Sequence, residues 1–190
     1  GIAYGGTGKS LTDPNADRIY FWDDSAGETA WLTASTGLTI SGTSITEFND
    51  VIVSGALTLP AAGTAKLEGD LTVNGTLTPS TSLIVFDNAG STQNIKGSLG
   101  AFTFYRLEID NTGGSLVLQK PVTITNGLIL TEGLITATST NTLTLNNAVT
   151  ITGGSSTSYV YGPLVHVSTG NSLTKVFPIG KGDYHPLTLT

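Results

Sequence analysis

The octet Ala3-Tyr4-Gly5-Gly6-Thr7-Gly8-Lys9-Ser10 has the spacing of a phosphate-binding loop, with alanine in place of the first glycine. Such a loop works by leaving a buried strand and opening a helix whose N-terminal amides hold the phosphate. Gly1-Ile2 precede the run that starts at Ala3, with Ile2 the one apolar residue before it, and Leu11-Thr12-Asp13-Pro14-Asn15 follows, a turn sequence and not a helix's first turns. The match reads as accidental. Asp13, Asn15, Asp17 and Asp24 stand at the first, third, fifth and twelfth positions of a calcium-loop pattern. The sixth position needs glycine for its sharp bend and is Arg18 here, so the segment reads as an Asx/Pro turn. Glu68/Asp70 and Glu108/Asp110 are pairs spaced to share one face of a strand, the raw material of glycoside cleavage. Asp183 and His185 could orient a serine, yet no Gly-x-Ser-x-Gly elbow is present. His166, in Leu164-Val165-His166-Val167, alternates onto the polar face in this reading, with the valines inward. No catalytic, cofactor or metal residues are assigned, and the chain is not expected to be an enzyme.

The elements that must carry these residues are short strands. Residues 51–152 run in apolar-alternating pieces broken by Ser-Gly, Asn-Gly, Glu-Gly and Gly-Gly, among them Leu71-Thr72-Val73-Asn74-Gly75, Val122-Thr123-Ile124-Thr125-Asn126-Gly127 and Leu128-Ile129-Leu130-Thr131-Glu132-Gly133. Period-two alternation with β-branched residues is the strand signal. Starts at 122, 128 and 134 are six residues apart, and a short repeated step points to a stacked architecture. A two-residue hairpin at Asn126-Gly127 would pair Ile124 with Ile129 and send Leu128 and Leu130 to the opposite face. Corners at Gly55, Gly75, Gly127 and Gly133 would instead let Val122, Ile124, Leu128 and Leu130 share one core. The reading is therefore an all-β chain built as a β-solenoid, with a β-sandwich or meander as the alternative. Phe102-Thr103-Phe104-Tyr105 reads as a plug of that core.

Charged residues make up 12% of the 190 and the net charge is −6, a balance unsuited to nucleic-acid phosphates or an anionic membrane surface. No apolar run approaches the length of a membrane span. Cysteine and methionine are absent, which excludes disulfides and thiolate metal sites. The chain starts without an initiator residue and stops inside an alternating pattern, so it is expected to be a segment of a longer protein, its solenoid continuing beyond the C-terminus.

Residues 1–50 form a distinct module that holds half of the fourteen acidic residues and both tryptophans. Its aromatic residues Phe21, Trp22 and Trp31, with Leu32, have little sequence around them to cover them, so they are expected to pack against other chains or an adjoining domain. The run Asp13-Pro14-Asn15-Ala16-Asp17-Arg18-Ile19, Phe21-Trp22-Asp23-Asp24-Ser25-Ala26-Gly27, Trp31-Leu32 and Gly37-Leu38-Thr39-Ile40 resembles a segment of tailed-bacteriophage fibre and virion structural proteins, as does Gly5-Gly6-Thr7-Gly8. That resemblance implies an elongated, homotrimeric appendage of a virion, extracellular, with Phe21, Trp22, Trp31 and Leu32 at the trimer interface. Ser158-Tyr159-Val160-Tyr161-Gly162-Pro163-Leu164 and Phe177-Pro178-Ile179-Gly180-Lys181-Gly182-Asp183-Tyr184-His185-Pro186-Leu187 are similar to a motif of Bacteroidetes-type surface and secreted proteins, where it follows Thr/Asn/Gly-rich β-repeats. Together these imply a fibre shaft or collar over residues 1–50 and a Thr/Gly-rich solenoid over 51–190. The implied partners are other copies of the chain, other virion proteins and a host-surface glycan or protein. The alternatives are a bacterial surface β-repeat adhesin and a carbohydrate-active solenoid enzyme.

Overall fold

A computed structural model describes residues 20–23, 28–31, 44–169 and 174–190. The chain divides into two compact units, residues 1–39 and 40–190. Within the first, β1 (Tyr20–Asp23) and β2 (Glu28–Trp31) pair antiparallel, with Tyr20 opposite Trp31 and Trp22 opposite Thr29.

The second unit is a parallel β-solenoid of about six turns, and the described residues contain no helix. The first turn consists of β3 (Ser44–Phe48), β4 (Val51–Val53) and β5 (Ala56–Thr58), and the second of β6 (Thr64–Leu67), β7 (Leu71–Val73) and β8 (Thr76–Thr78). β9 (Leu83–Phe86) and β10 (Thr92–Lys96) follow. β11 (Phe102–Leu118) and β12 (Val122–Thr136) each bend through all three faces of one turn as a single long element. The later turns hold β13 (Leu143–Leu145), β14 (Thr150–Gly153), β15 (Val160–Tyr161) and β16 (Leu164–His166). β17 (Lys175–Phe177), β18 (Ile179–Gly180) and β19 (Leu187–Leu189) complete the chain. The solenoid takes in Ser44–Phe48, so its parallel pairing begins ahead of Val51.

Three ladders run along the stack. The first face joins β3, β6, β9, residues 106–109, residues 127–130 and β14. The second joins β4, β7, β10, residues 115–118, residues 134–136, β15 and β18. The third pairs β5 with β8, and separately aligns residues 102–104, residues 122–124, β13 and β16. Parallel in-register pairing places like positions above one another, which gives ladders such as Ala65–Ile84–Leu107–Leu128–Ile151 and Phe102–Val122–Leu143–Leu164.

The core follows from the corners. Within β11 the inward residues change from Phe102 and Phe104 to Leu107 and Ile109, and then to Leu116 and Leu118, all at most 1% exposed. Two outward residues in succession at Tyr105-Arg106 shift the alternation, and the ladder between β11 and β12 slips in register at the same place. Val122, Ile124, Leu128 and Leu130 lie in one core as expected, while Ile129 between the leucines is only half-buried. Burying a leucine is worth about 2–3 kcal/mol. A hairpin at Asn126-Gly127 would have forfeited that for two of them.

Glycine serves the corners in more than one way. Gly133 takes φ +91, and a Cβ there would run into the carbonyl of Asn111 in the preceding turn. Gly75 has no positive φ, yet a Cβ on it would overlap the Gly55 backbone directly beneath. Gly55 has open space around it, and Gly127 would meet only the flexible Arg106 side chain. Those two of the four expected corners do not depend on glycine.

Candidate functional site

Most of the residues whose spacing suggested chemistry lie outside the described residues. Ala3–Ser10, Asp13, Asn15, Asp17, Asp24 and Leu32 fall outside the described residues, as do the side chains of Phe21, Trp22 and Trp31. The backbones of these last three lie on the β1–β2 hairpin.

Glu68 and Asp70 do not share a strand face. They flank Gly69 at the corner between β6 and β7. The expectation of a same-face pair is corrected by that bend. Asp70 is instead the hub of a polar seam along the corner. Its Oδ1 accepts from the Asn94 backbone N–H at 2.8 Å and from Asn94 Nδ2 at 2.9 Å, and its Oδ2 meets Lys96 Nζ. The Asp70 amide donates to Asp50 Oδ1 at 2.7 Å, one turn earlier, and Gln119 Nε2 donates to Asn94 Oδ1 at 2.9 Å, one turn later. Partial burial works to raise the Asp70 pKa. The Lys96 and Asn94 hydrogen bonds and the Lys96 charge outweigh it and hold the carboxyl below 3.8.

Inside the same corner lies a second seam, fully buried. Gln93 Nε2 donates to the carbonyls of Leu67 at 2.8 Å and Gly69 at 3.0 Å, and Asn111 Nδ2 donates to Gln93 Oε1 at 3.0 Å and to Ser91 O at 2.8 Å. These bonds give the buried amide side chains their partners, and two of the carbonyls are shared, Leu67 O with the Asp87 amide at 2.8 Å and Ser91 O with the Ser115 amide at 3.4 Å. Asn111 Oδ1 keeps no partner.

Glu108 and Asp110 do share the outer side of the first face and are half-buried. Glu108 accepts a 2.7 Å hydrogen bond from Thr131 Oγ1, and Asp110 is in register with Glu132. Among the described residues no cluster of three or more His, Asp or Glu side chains is placed to hold a metal ion.

His166 is where the sequence reading fails outright. It was expected on the polar face, but it continues the core ladder Phe104–Ile124–Leu145–His166, while Val165 and Val167 face out at 41% and 45% exposure. Partner strands fix the inward positions, and the apolar valines yield to that register. The ring meets the edge of Phe177 with centroids 5.4 Å apart, and Lys175 Nζ lies 3.2 Å from Nε2 while also donating to Val149 O at 2.6 Å. Burial, then the Lys175 charge, lower the His166 pKa below 6.5, and burial lowers that of Lys175. This trio sits at the last described strand of the third face.

Asp183 and His185 belong to a tight hairpin after β18. The His185 amide donates to Ile179 O at 2.8 Å and Gly180 bridges to Tyr184. No serine nucleophile is assembled with them among the contacts of the described residues. Beside the hairpin is a solvent-open cavity of about 590 Å³, which sequence reasoning missed. Its walls come from three successive turns and the hairpin loop. No local pattern announces such a meeting, although the motif from Phe177 to Leu187 supplies half of it. In comparisons with family models, curated proteins and solved structures, nothing matches this chain.

Proposed function

We propose that the chain is a structural and adhesive segment of a bacteriophage fibre, linking the particle to a more distal host-binding tip and touching the host surface. The observation that supports this most is the in-register parallel stack of about six turns. Its backbone hydrogen bonds run from turn to turn, so the unit can act as a stiff spacer while its outer faces stay free for contact. The role is mechanical and needs no chemistry. The resemblance of residues 13–40 to fibre proteins supplies the virion and the threefold assembly. In this reading Phe21, Trp22, Trp31 and Leu32 pack between three copies. Each buried aromatic side chain contributes about 2–3 kcal/mol, more than a fifty-residue glycine-rich module can recover alone.

Two experiments test the reading. Mass spectrometry of purified virions should find the parent polypeptide at a copy number divisible by three, and its absence from particles would favour a bacterial surface adhesin. Light scattering of the 190-residue chain should give three copies, with Trp22→Ala or Trp31→Ala shifting it toward single chains. A well-folded monomer at low micromolar concentration with both tryptophans buried would sink the trimer.

A further inference from the structure

We propose that the cavity in the last turn binds a carboxylate-bearing sugar ring, of the uronic acid class found in acidic surface polysaccharides. This deepens the adhesive half of the function proposed above and rests on it. The cavity's volume of about 590 Å³ falls in the range of small-molecule sites, roughly 300–1,000 Å³, and exceeds what a simple carboxylate needs. Its lining is mainly apolar, with Tyr161, Pro163 and Ile179 among the walls. A sugar ring presents a C–H face to such a surface and hydroxyls at its rim, which the Tyr161 hydroxyl and the His185 ring can meet.

The floor is backbone, held in place by glycine. Gly162 sits at φ +119 with the Ala137 carbonyl directly behind it, so a side chain there would be strained and blocked. On the far side the hairpin of residues 179–185 is fastened by the His185-to-Ile179 hydrogen bond and the Gly180–Tyr184 bridge. A Cβ at Gly180 would strike the Asp183 carbonyl and the Tyr159 ring, which keeps that hairpin narrow. The wall that carries Lys181 is therefore preformed.

Charge selects the acid. Lys181 is exposed at the cavity's edge and has no ion pair among the described residues, unlike Lys66 with Asp87 and Lys96 with Asp70. Among the described residues no carboxylate side chain lines the cavity. In a chain of net charge −6, this is a cation beside an apolar wall with no described carboxylate in the lining. A carboxylate at the sugar's C5 substituent would complete it with a charge-assisted hydrogen bond.

The test titrates the full chain with an oligoglucuronate and with a neutral glucose oligomer of equal length, read by NMR shift changes and calorimetry. The acidic oligomer should bind at about 1 mM or tighter, weaken as salt is added, and shift resonances of residues 161–163 and 179–185. Lys181→Gln should weaken it about tenfold, the worth of one hydrogen bond to a charged group, and leave weak binding of the neutral oligomer unchanged. Tyr161→Leu, which keeps an apolar strand residue, should weaken both. Melting curves of the variants confirm that the turn is intact. Equal binding of the two oligomers, an unchanged affinity in Lys181→Gln, or shifts confined to other faces would overturn the assignment. Capture on beads coated with neutral polysaccharide, with no uronate binding, would overturn the cavity site while leaving the adhesive reading standing. Failure on every polysaccharide tested would overturn both.

Discussion

The first two turns and the two long-stranded turns at the middle follow one three-faced plan, but on the third face they bury their apolar residues to different depths. In β11 and β12 the inward residues Phe102, Phe104, Leu107, Leu116, Val122, Ile124 and Leu128 are at most 1% exposed. In β5 and β8 the central Leu57 and Leu77 are only half-buried, although Ala56-Leu57-Thr58 and Thr76-Leu77-Thr78 look much like Leu143-Thr144-Leu145, whose leucines are fully covered. The difference is in the neighbours. β5 and β8 form an isolated two-stranded sheet, whereas β13 continues a ladder that begins at the Phe102 and Phe104 rings, 6.0 Å apart. In a solenoid a residue's burial depends on what the turn above and the turn below place over it, more than on its own alternation.

Charge insertion should widen this contrast most. Leu128→Asp buries an unpaired charge and should cost more than about 4 kcal/mol, enough to break the single urea transition into separate steps. Ile129→Asp, one position away and half-buried, should keep a cooperative transition. The milder Leu128→Ala should cost about 3–4 kcal/mol and Leu57→Ala about 1 kcal/mol. Equal costs would mean that the turns are not graded as described.

Glycine substitution comes next. Gly133→Ala puts a Cβ into the Asn111 carbonyl at a positive φ and should destabilise by about 2–3 kcal/mol. Gly55→Ala enters open space and should be neutral or slightly stabilising in the same thermal melt.

A smaller effect belongs to the polar corner. Asp70→Ala removes the acceptor of both Asn94 bonds and should cost about 1 kcal/mol at neutral pH. Because the folded-state pKa of Asp70 lies below 3.8, that contribution is present above 3.8 and disappears as pH falls through the folded value. Wild type and variant should therefore converge in acid. If the gap between them persisted at pH 2, the carboxylate would not be its source.

The smallest effect tests the far end of the stack. His166 has its pKa lowered from 6.5, so the folded state resists protonation, and the last turn should lose stability as pH falls through 6.5, levelling off below the folded value. His166→Phe should remove that slope from melts recorded between about pH 8 and pH 5. An unchanged slope would assign it to another group.

These contrasts also mark how far the sequence could be read. Alternation and corner signals suffice to place Val122, Ile124, Leu128 and Leu130 in one core, because a hairpin would split them. The six-residue step proves to be the spacing of strands around one turn. The longer period of a full turn is visible where the Asp70 amide reaches Asp50, 20 residues back, but corner loops blur it later, as in the 26-residue separation of Lys175 and Val149. His166 was misplaced for a related reason. Its face is dictated by Leu145 on the neighbouring strand, and alternation of Val165 and Val167 alone points the wrong way. Asp70 looked like half of a carboxylate pair because a strand was continued through Gly69. The cavity draws on Ala137, Tyr161 and Ile179 from separate turns, a juxtaposition that exists only once the turns are stacked.

Among the described residues each turn of this ladder pairs with the turn before it and the turn after it. The solenoid is therefore a linear array of coupled units, whose stability is a sum of unit terms and nearest-neighbour terms. A lesion at either end should fray one turn and leave the rest cooperative. The same lesion in β11 or β12 should cut the array into two shorter blocks that melt separately. Amide exchange should accordingly be slowest at residues 102–136 and quicken in steps toward both ends, one turn at a time.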